Sequence, residues 1–231
     1  MNIEVIYEDN HLIIVNKQAG EIVQGDKSGD EPLLERVRQY IKETYAKPGN
    51  VFCGLVHRLD RPVAGIVVFA KTSKGLSRMN ELFRNGGVSK TYWAITRNCP
   101  EQHEGHLKHW ITTVEKTNKS TAHKTPKSGA KEARLSYKLI AQSNRYNLLE
   151  VQLETGRKHQ IRVQLAAMGC PVKGDLKYGD KRSNPDGSIS LMARRIEFIH
   201  PISGKVINLT APVPKDDTLW EAFNDLTSEN N

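Results

Sequence analysis

The residues best suited to chemistry stand together at the head of one stretch, HRLDRPVAGIVVFAKT, His57 to Thr72. Arg58 and Arg61 flank Asp60, and neighbouring guanidiniums favour the ionised form of a carboxylate. An ionised carboxylate at the mouth of a rigid strand can act as a nucleophile or as a base. Asp is also a common turn former and cap, and the local residues leave both roles open. A metal reading is poor: His57 and Asp60 supply only two ligands, and the adjacent arginines repel a cation. No metal is expected.

The elements around this acid set its rigidity. Ile66 to Ala70 is a continuous apolar run that must be buried, and it reads as the strand GIVVFAK. The short apolar segment VFCGLV leads into the acid from the other side. Upstream, IEVIYED and HLIIVNK read as two strands joined by a polar turn at Glu8 to Asn10. EPLLERVRQYIKETYA carries a helical stripe at Leu33, Leu34, Val37, Tyr40 and Ile41, with Pro32 near its start. KGLSRMNELFRNGG reads as a helix closed by Gly86 and Gly87. VSKTYWAIT, HLKHWIT, ARLSYKLIAQ, YNLLEVQLE, SLMARRIEFIH and VINLTAP read as strands, and LWEAFNDL as a short closing helix. ETGRKHQIRVQLAAMG reads as a helix with Thr155 as N-cap and Gly169 as its stop. Its core stripe would be Ile161, Leu165 and Met168, with Lys158 and Arg162 sharing another face. Glu115 to Glu132 has no large apolar residue and reads as an exposed, mobile, basic loop. The pattern predicts one α+β domain on an antiparallel or mixed sheet.

Composition narrows the function. The chain has 231 residues and a formal net charge of +8. The charge is segregated: nine Lys and Arg lie between Arg157 and Arg195 against three Asp, while the tail from Asp216 is acidic. A basic face of this kind suits a polyanion, most commonly nucleic acid. The apolar runs are too short to span a bilayer, and MNIEVIYEDN lacks the features of a signal peptide. A cytoplasmic protein is expected, with no membrane partner. Cys53, Cys99 and Cys170 are odd in number and widely spaced, which argues against a disulfide framework.

The stretch HRLDRPVAGIVVFAKT resembles the central motif of the RluA-type pseudouridine synthases, a His-Arg-Leu-Asp followed by a short turn and Gly. Further stretches agree in order: YEDNHLIIVNKQAGEIVQ, SKTYWAI, ETGRKHQIRVQLAAMGCPVKGDLKYG and ARRIEFIHPISGK. The similarity runs from about Ile3 to about Pro212. It implies a pseudouridine synthase catalytic domain over residues 1–231, a bent, largely antiparallel mixed sheet flanked by helices and loops. It implies isomerisation of uridine in ribosomal or transfer RNA, without a cofactor, by a monomer. The family's essential Asp maps onto Asp60, its active-site Tyr onto Tyr92, and the Arg that pairs with the catalytic Asp onto Arg162. Leu191 falls where the family sets an apolar residue against the base. Arg58, His57, Lys90, Arg157, His159 and Gln160 lie in the same motifs and are expected at the substrate. The target uridine must leave its stack, and Arg58 is a candidate to fill the vacated space. Basic loops near 116–131 and 173–182 would meet phosphates.

The chain departs from the family pattern in places. PVAG, Pro62 to Gly65, replaces the usual Thr-Ser-Gly turn, and Arg61-Pro62 resembles the subgroup of TruC-type transfer RNA enzymes. Gln164 stands where the family often has His. Many members carry a small N-terminal RNA-binding domain, and this chain starts at the catalytic strands, so recognition is expected from the catalytic domain. A competing expectation is a catalytically weak RNA-binding or RNA-folding factor on the same fold. A protein kinase, suggested by HRLD alone, lacks the Gly-rich loop and Asp-Phe-Gly.

Overall fold

The computed structural model describes residues 3–215 and 217–228. The chain divides into two compact units, Met1–Ser89 with Ala193–Pro212, and Lys90–Met192 with Val213–Asn231. The acidic tail expected from Asp216 lies partly outside the described residues, at 216 and 229–231.

The first unit is built on strands β1 (Glu4–Glu8), β2 (Leu12–Lys17), β3 (Gly54–Leu55) and β4 (Ala64–Ala70). β2 pairs antiparallel with β1 on one side and β4 on the other. All of β2 and all of β4 are buried, as continuous apolar runs require. Helix α1 (Leu33–Thr44) buries Leu33, Val37 and Ile41, one face at helical spacing. Helix α2 (Ser73–Arg84) starts at Thr72, whose hydroxyl accepts from the Gly75 N–H at 3.0 Å. It ends at Asn85, followed by Gly86 in the left-handed region.

The second unit contains β5 (Val88–Thr96), β6 (Glu104–Val114), β7 (Lys119–His123), β8 (Lys131–Gln142) and β9 (Asn147–Leu153). The sheet order is β5-β9-β8-β6-β7, with antiparallel pairing throughout. Helix α3 (Gln160–Ala167) packs against β6 and β7. Its Val163 joins Ile111, Ala133 and Tyr178 in one apolar cluster. Strand β10 (Leu191–Ile199) crosses the division between units, and β11 (Val206–Thr210) pairs antiparallel with it. Helix α4 (Thr218–Ser228) buries Trp220 and Phe223. The α+β class with a largely antiparallel sheet is as expected.

Two expectations need correcting. The helix expected from Thr155 starts five residues later, because His159 takes a left-handed conformation (φ 56°) that no continuing helix allows. Thr155 is not its cap; its hydroxyl accepts from the Arg134 N–H and bonds the Gln160 side chain instead. Lys158 therefore precedes the helix and shares no helical face with Arg162. The segment 115–132, expected as a loop, contains a 3-10 turn (Glu115–Thr117), β7 and the first residues of β8. No described helix is long and apolar enough to cross a membrane.

Candidate active site

Asp60 sits half-buried in the turn between β3 and β4, where the Val63 N–H donates to Asp60 O at 3.1 Å. The turn is fixed from beneath by Lys17, the last residue of β2. Lys17 is fully buried, and its ammonium donates to Val63 O at 2.7 Å, Gln18 O at 3.0 Å and Arg61 O at 3.1 Å. The Gly20 N–H adds a second link to Arg61 O at 2.8 Å. Burial pushes the Lys17 ammonium down to about 8, against the pull of the Glu21 and Asp60 carboxylates. Lys17 is thus a positive charge coupled electrostatically to Asp60. The opening motif YEDNHLIIVNKQAGEIVQ contains it without giving it a role, although a Lys closing an otherwise apolar buried strand was an available signal.

The arginines flanking Asp60 face outward. Arg58 is exposed, and Arg61 forms a half-exposed ion pair with Asp30 at 2.6 Å. His57 is engaged by the fold: its Nε2 accepts from the Val68 N–H at 3.2 Å, and its ring stacks on Phe83 at 5.0 Å between centroids. It ties the approach to Asp60 onto β4 and α2. Gly65, at the start of β4, has φ +110°. A Cβ there would lie 2.6 Å from Ala193 N on β10, and closer still to Ala193 O.

In the second unit, Tyr92 is buried on β5 opposite Val151 of β9. Lys90 stands two residues earlier on the same strand, and burial lowers its ammonium from the usual lysine value. Leu191 is buried at the start of β10. Arg157 is exposed, with its Nε donating to Glu132 O at 2.8 Å.

Gln160 serves the turn before α3. Its Oε1 accepts from the Arg157 N–H at 2.9 Å and from the Thr155 hydroxyl at 2.8 Å, while Nε2 donates to Arg134 O at 3.0 Å. His159 is buried, with Nδ1 2.6 Å from the Tyr178 hydroxyl. That hydroxyl also accepts from the Ser120 N–H at 2.8 Å. Arg162 is buried on α3. Its Nε donates to Asp175 Oδ2 at 2.6 Å and its Nη2 to Asp175 Oδ1 at 2.9 Å. The Tyr178 ring lies over the same guanidinium at 5.0 Å. Asp175 and Tyr178 both belong to GDLKYG, a stretch that the sequence singled out without giving either residue a role.

The substitution at Gln164 has a local partner. Its Nε2 lies 3.0 Å from His109 Nδ1 and donates to Leu107 O at 3.2 Å, while its buried Oε1 has no hydrogen-bond partner.

Residues 11–167 match the model of the RNA pseudouridylate synthase family. The chain belongs to this family. Its members isomerise uridine in RNA to pseudouridine, and its named relatives put this chain among the RluA-type enzymes. It is 32% identical to an uncharacterised RNA pseudouridine synthase of Synechocystis over 92% of this chain and 66% of that protein. It is 30% identical to ribosomal large subunit pseudouridine synthase D of Zymomonas mobilis, over 93% of this chain and 70% of that one. It is also 30% identical to tRNA pseudouridine synthase C of Vibrio parahaemolyticus, over 96% of this chain and 94% of that one. Among solved structures, human RNA pseudouridylate synthase domain containing 4 shares the fold at a TM-score of 0.80 and 24% identity, covering 97% of this chain and 93% of that one.

Proposed function

We propose that this pseudouridine synthase isomerises specific uridines in structured ribosomal or transfer RNA, with Asp60 as the essential carboxylate. The reaction breaks the bond from ribose C1′ to N1, turns the uracil, and joins C1′ to C5. The C5 proton is released and N1 is left protonated, so atoms balance with no redox step and no group lost. No cofactor is required. The observation that carries the reading is the turn bearing Asp60, pinned through Lys17 and Gly20 so that its carboxylate has a defined position.

Tyr92 and Arg162 complete the catalytic set in this reading. Tyr92 stacks on the uracil and offers a hydroxyl to a moving proton. Arg162 supplies the fixed positive charge that orients the carboxylate. Arg58 occupies the space left by the flipped uridine, and Leu191 lies against the base. Lys90 and Arg157 contact phosphate, whereas His57, His159 and Gln160 act by holding the segments that carry these groups. The enzyme acts as a monomer in the cytoplasm. The Arg61-Pro62 turn resembles that of the transfer RNA subgroup, and on that resemblance transfer RNA is favoured over ribosomal RNA as the substrate.

The test is tritium release from RNA carrying 5-tritiated uridine, with ribosomal and transfer RNA offered separately. Release from transfer RNA alone is the expected result. Release from ribosomal RNA alone would overturn the substrate assignment, and release from neither would overturn the activity.

A further inference from the structure

The Arg162 guanidinium does not hold its own position. Asp175, 1% exposed, spends both carboxylate oxygens on the Nε–Nη2 edge of Arg162, and the Tyr178 ring covers one of its faces. Asp175 is itself held firmly. Its N–H donates to Val172 O, and its carbonyl accepts from the N–H groups of Tyr178 and Asp180. The Asp180 carboxylate accepts from the Gly174 N–H at 2.6 Å and pairs with Arg97 at 3.2 Å, which closes the turn around Asp175. Tyr178 is fixed in turn by Ser120 of β7 and by His159.

A buried ion pair is a poor source of stability compared with apolar packing of the same volume, so its use here points to a demand for orientation. A guanidinium gripped on two nitrogens and covered on one face has a single rotamer and a single direction for Nη1, the nitrogen this pair does not use.

We propose that Asp175 is a positioning residue for the isomerisation: it clamps one edge of Arg162 and so fixes the direction in which the arginine's charge is presented to the reaction centre. This inference rests on the reading of Arg162 as part of the catalytic set. Asp175 touches neither base nor sugar in this account and acts only through Arg162.

The experiment compares the wild type with Asp175→Asn, Asp175→Glu, Arg162→Ala and the double variant Arg162→Ala/Asp175→Asn, using the RNA that gives tritium release. Thermal unfolding is recorded alongside, and rates are taken well below each variant's midpoint. Asp175→Asn is expected to lower kcat about 10- to 100-fold, as a displaced catalytic group does, with KM changed less than about three-fold. The double variant is expected to match Arg162→Ala, because Asp175 has nothing to orient once the guanidinium is gone. Should Asp175→Asn fail to fold, Asp175→Glu keeps the charge and shifts the guanidinium by one methylene; kcat is again expected to fall. Wild-type kcat in a folded Asp175→Asn or Asp175→Glu would overturn the proposal. So would a double variant that loses activity in proportion to both single changes. Activity retained by Asp60→Ala would instead sink the functional reading beneath it.

Discussion

The Asp175 carboxylate holds Arg162 on two nitrogens, at 2.6 and 2.9 Å, with both side chains buried. Removing one partner strands the other's charge in the interior. Asp175→Ala is therefore expected to destabilise the protein by about 3–5 kcal/mol. In a chain of this size that corresponds to a fall of roughly 10 °C in the midpoint of thermal unfolding. A calorimetric midpoint within a degree or two of wild type would contradict the account of this pair.

Lys17 makes a prediction about pH. Folding lowers its ammonium from the ordinary lysine value of 10.5 to about 8 through burial. Between those values the unfolded chain binds more protons than the folded one, so this group's contribution to stability rises with pH from about 8 to 10.5. Below pH 8 the ammonium is charged in both states and its desolvation cost is borne in full. The Lys17 side-chain resonances in a carbon-13 titration should show a midpoint near 8. A midpoint at the ordinary value would mean the ammonium is not buried as described. Lys17→Met removes the donor to three carbonyls, and it is expected to loosen the Asp60 turn and lower kcat.

Gly65 is required for two independent reasons. Its φ of +110° disfavours any side chain, and a Cβ would collide with the Ala193 backbone, which cannot rotate away. Gly65→Ala should cost more than about 3 kcal/mol, at the severe end of single substitutions. Chemical denaturation measures it directly; a cost below about 1 kcal/mol would refute the close approach of β4 and β10.

The basic segment between β6 and β8 makes a prediction about salt. Lys116, Lys119, Lys124 and Lys127 are exposed. The segment is anchored to the GDLKYG turn by Lys177, which donates to Asn118 O at 3.0 Å. Replacing these four lysines with Ala should flatten the dependence of log binding constant on log salt, by about 0.7–0.9 for each phosphate that is no longer neutralised. An unchanged slope in fluorescence anisotropy would place the RNA elsewhere.

The sequence made the alternating and continuous strands legible: VSKTYWAIT is β5 to the residue, and the apolar runs of β2 and β4 had no place except the interior. α3 was harder. Thr-Gly looks like a helix start, but His159 breaks the backbone path, and Gln160 to Leu165 are all buried, so the helix has no polar face to give it a period. β7 was missed because an edge strand with one buried residue, Ser120, needs no apolar pattern; its partner β6 defines it. The motifs gave Asp60, Tyr92 and Arg162 as candidates. They did not give Lys17 or Asp175 their roles, because these depend on partners brought close by folding: backbone carbonyls 44 and 46 residues from Lys17, and an arginine 13 residues from Asp175.

The central claim is that Asp60 performs chemistry rather than shaping a turn. The most direct measurement is tritium release together with RNA binding for wild type, Asp60→Asn and Asp60→Ala, on the same 5-tritiated RNA. The account predicts no release from either variant, with binding within a few-fold of wild type and an unaltered unfolding midpoint. Release at the wild-type rate from a folded Asp60→Ala would contradict it, and Asp60 would then be a turn residue in an enzyme whose carboxylate lies elsewhere.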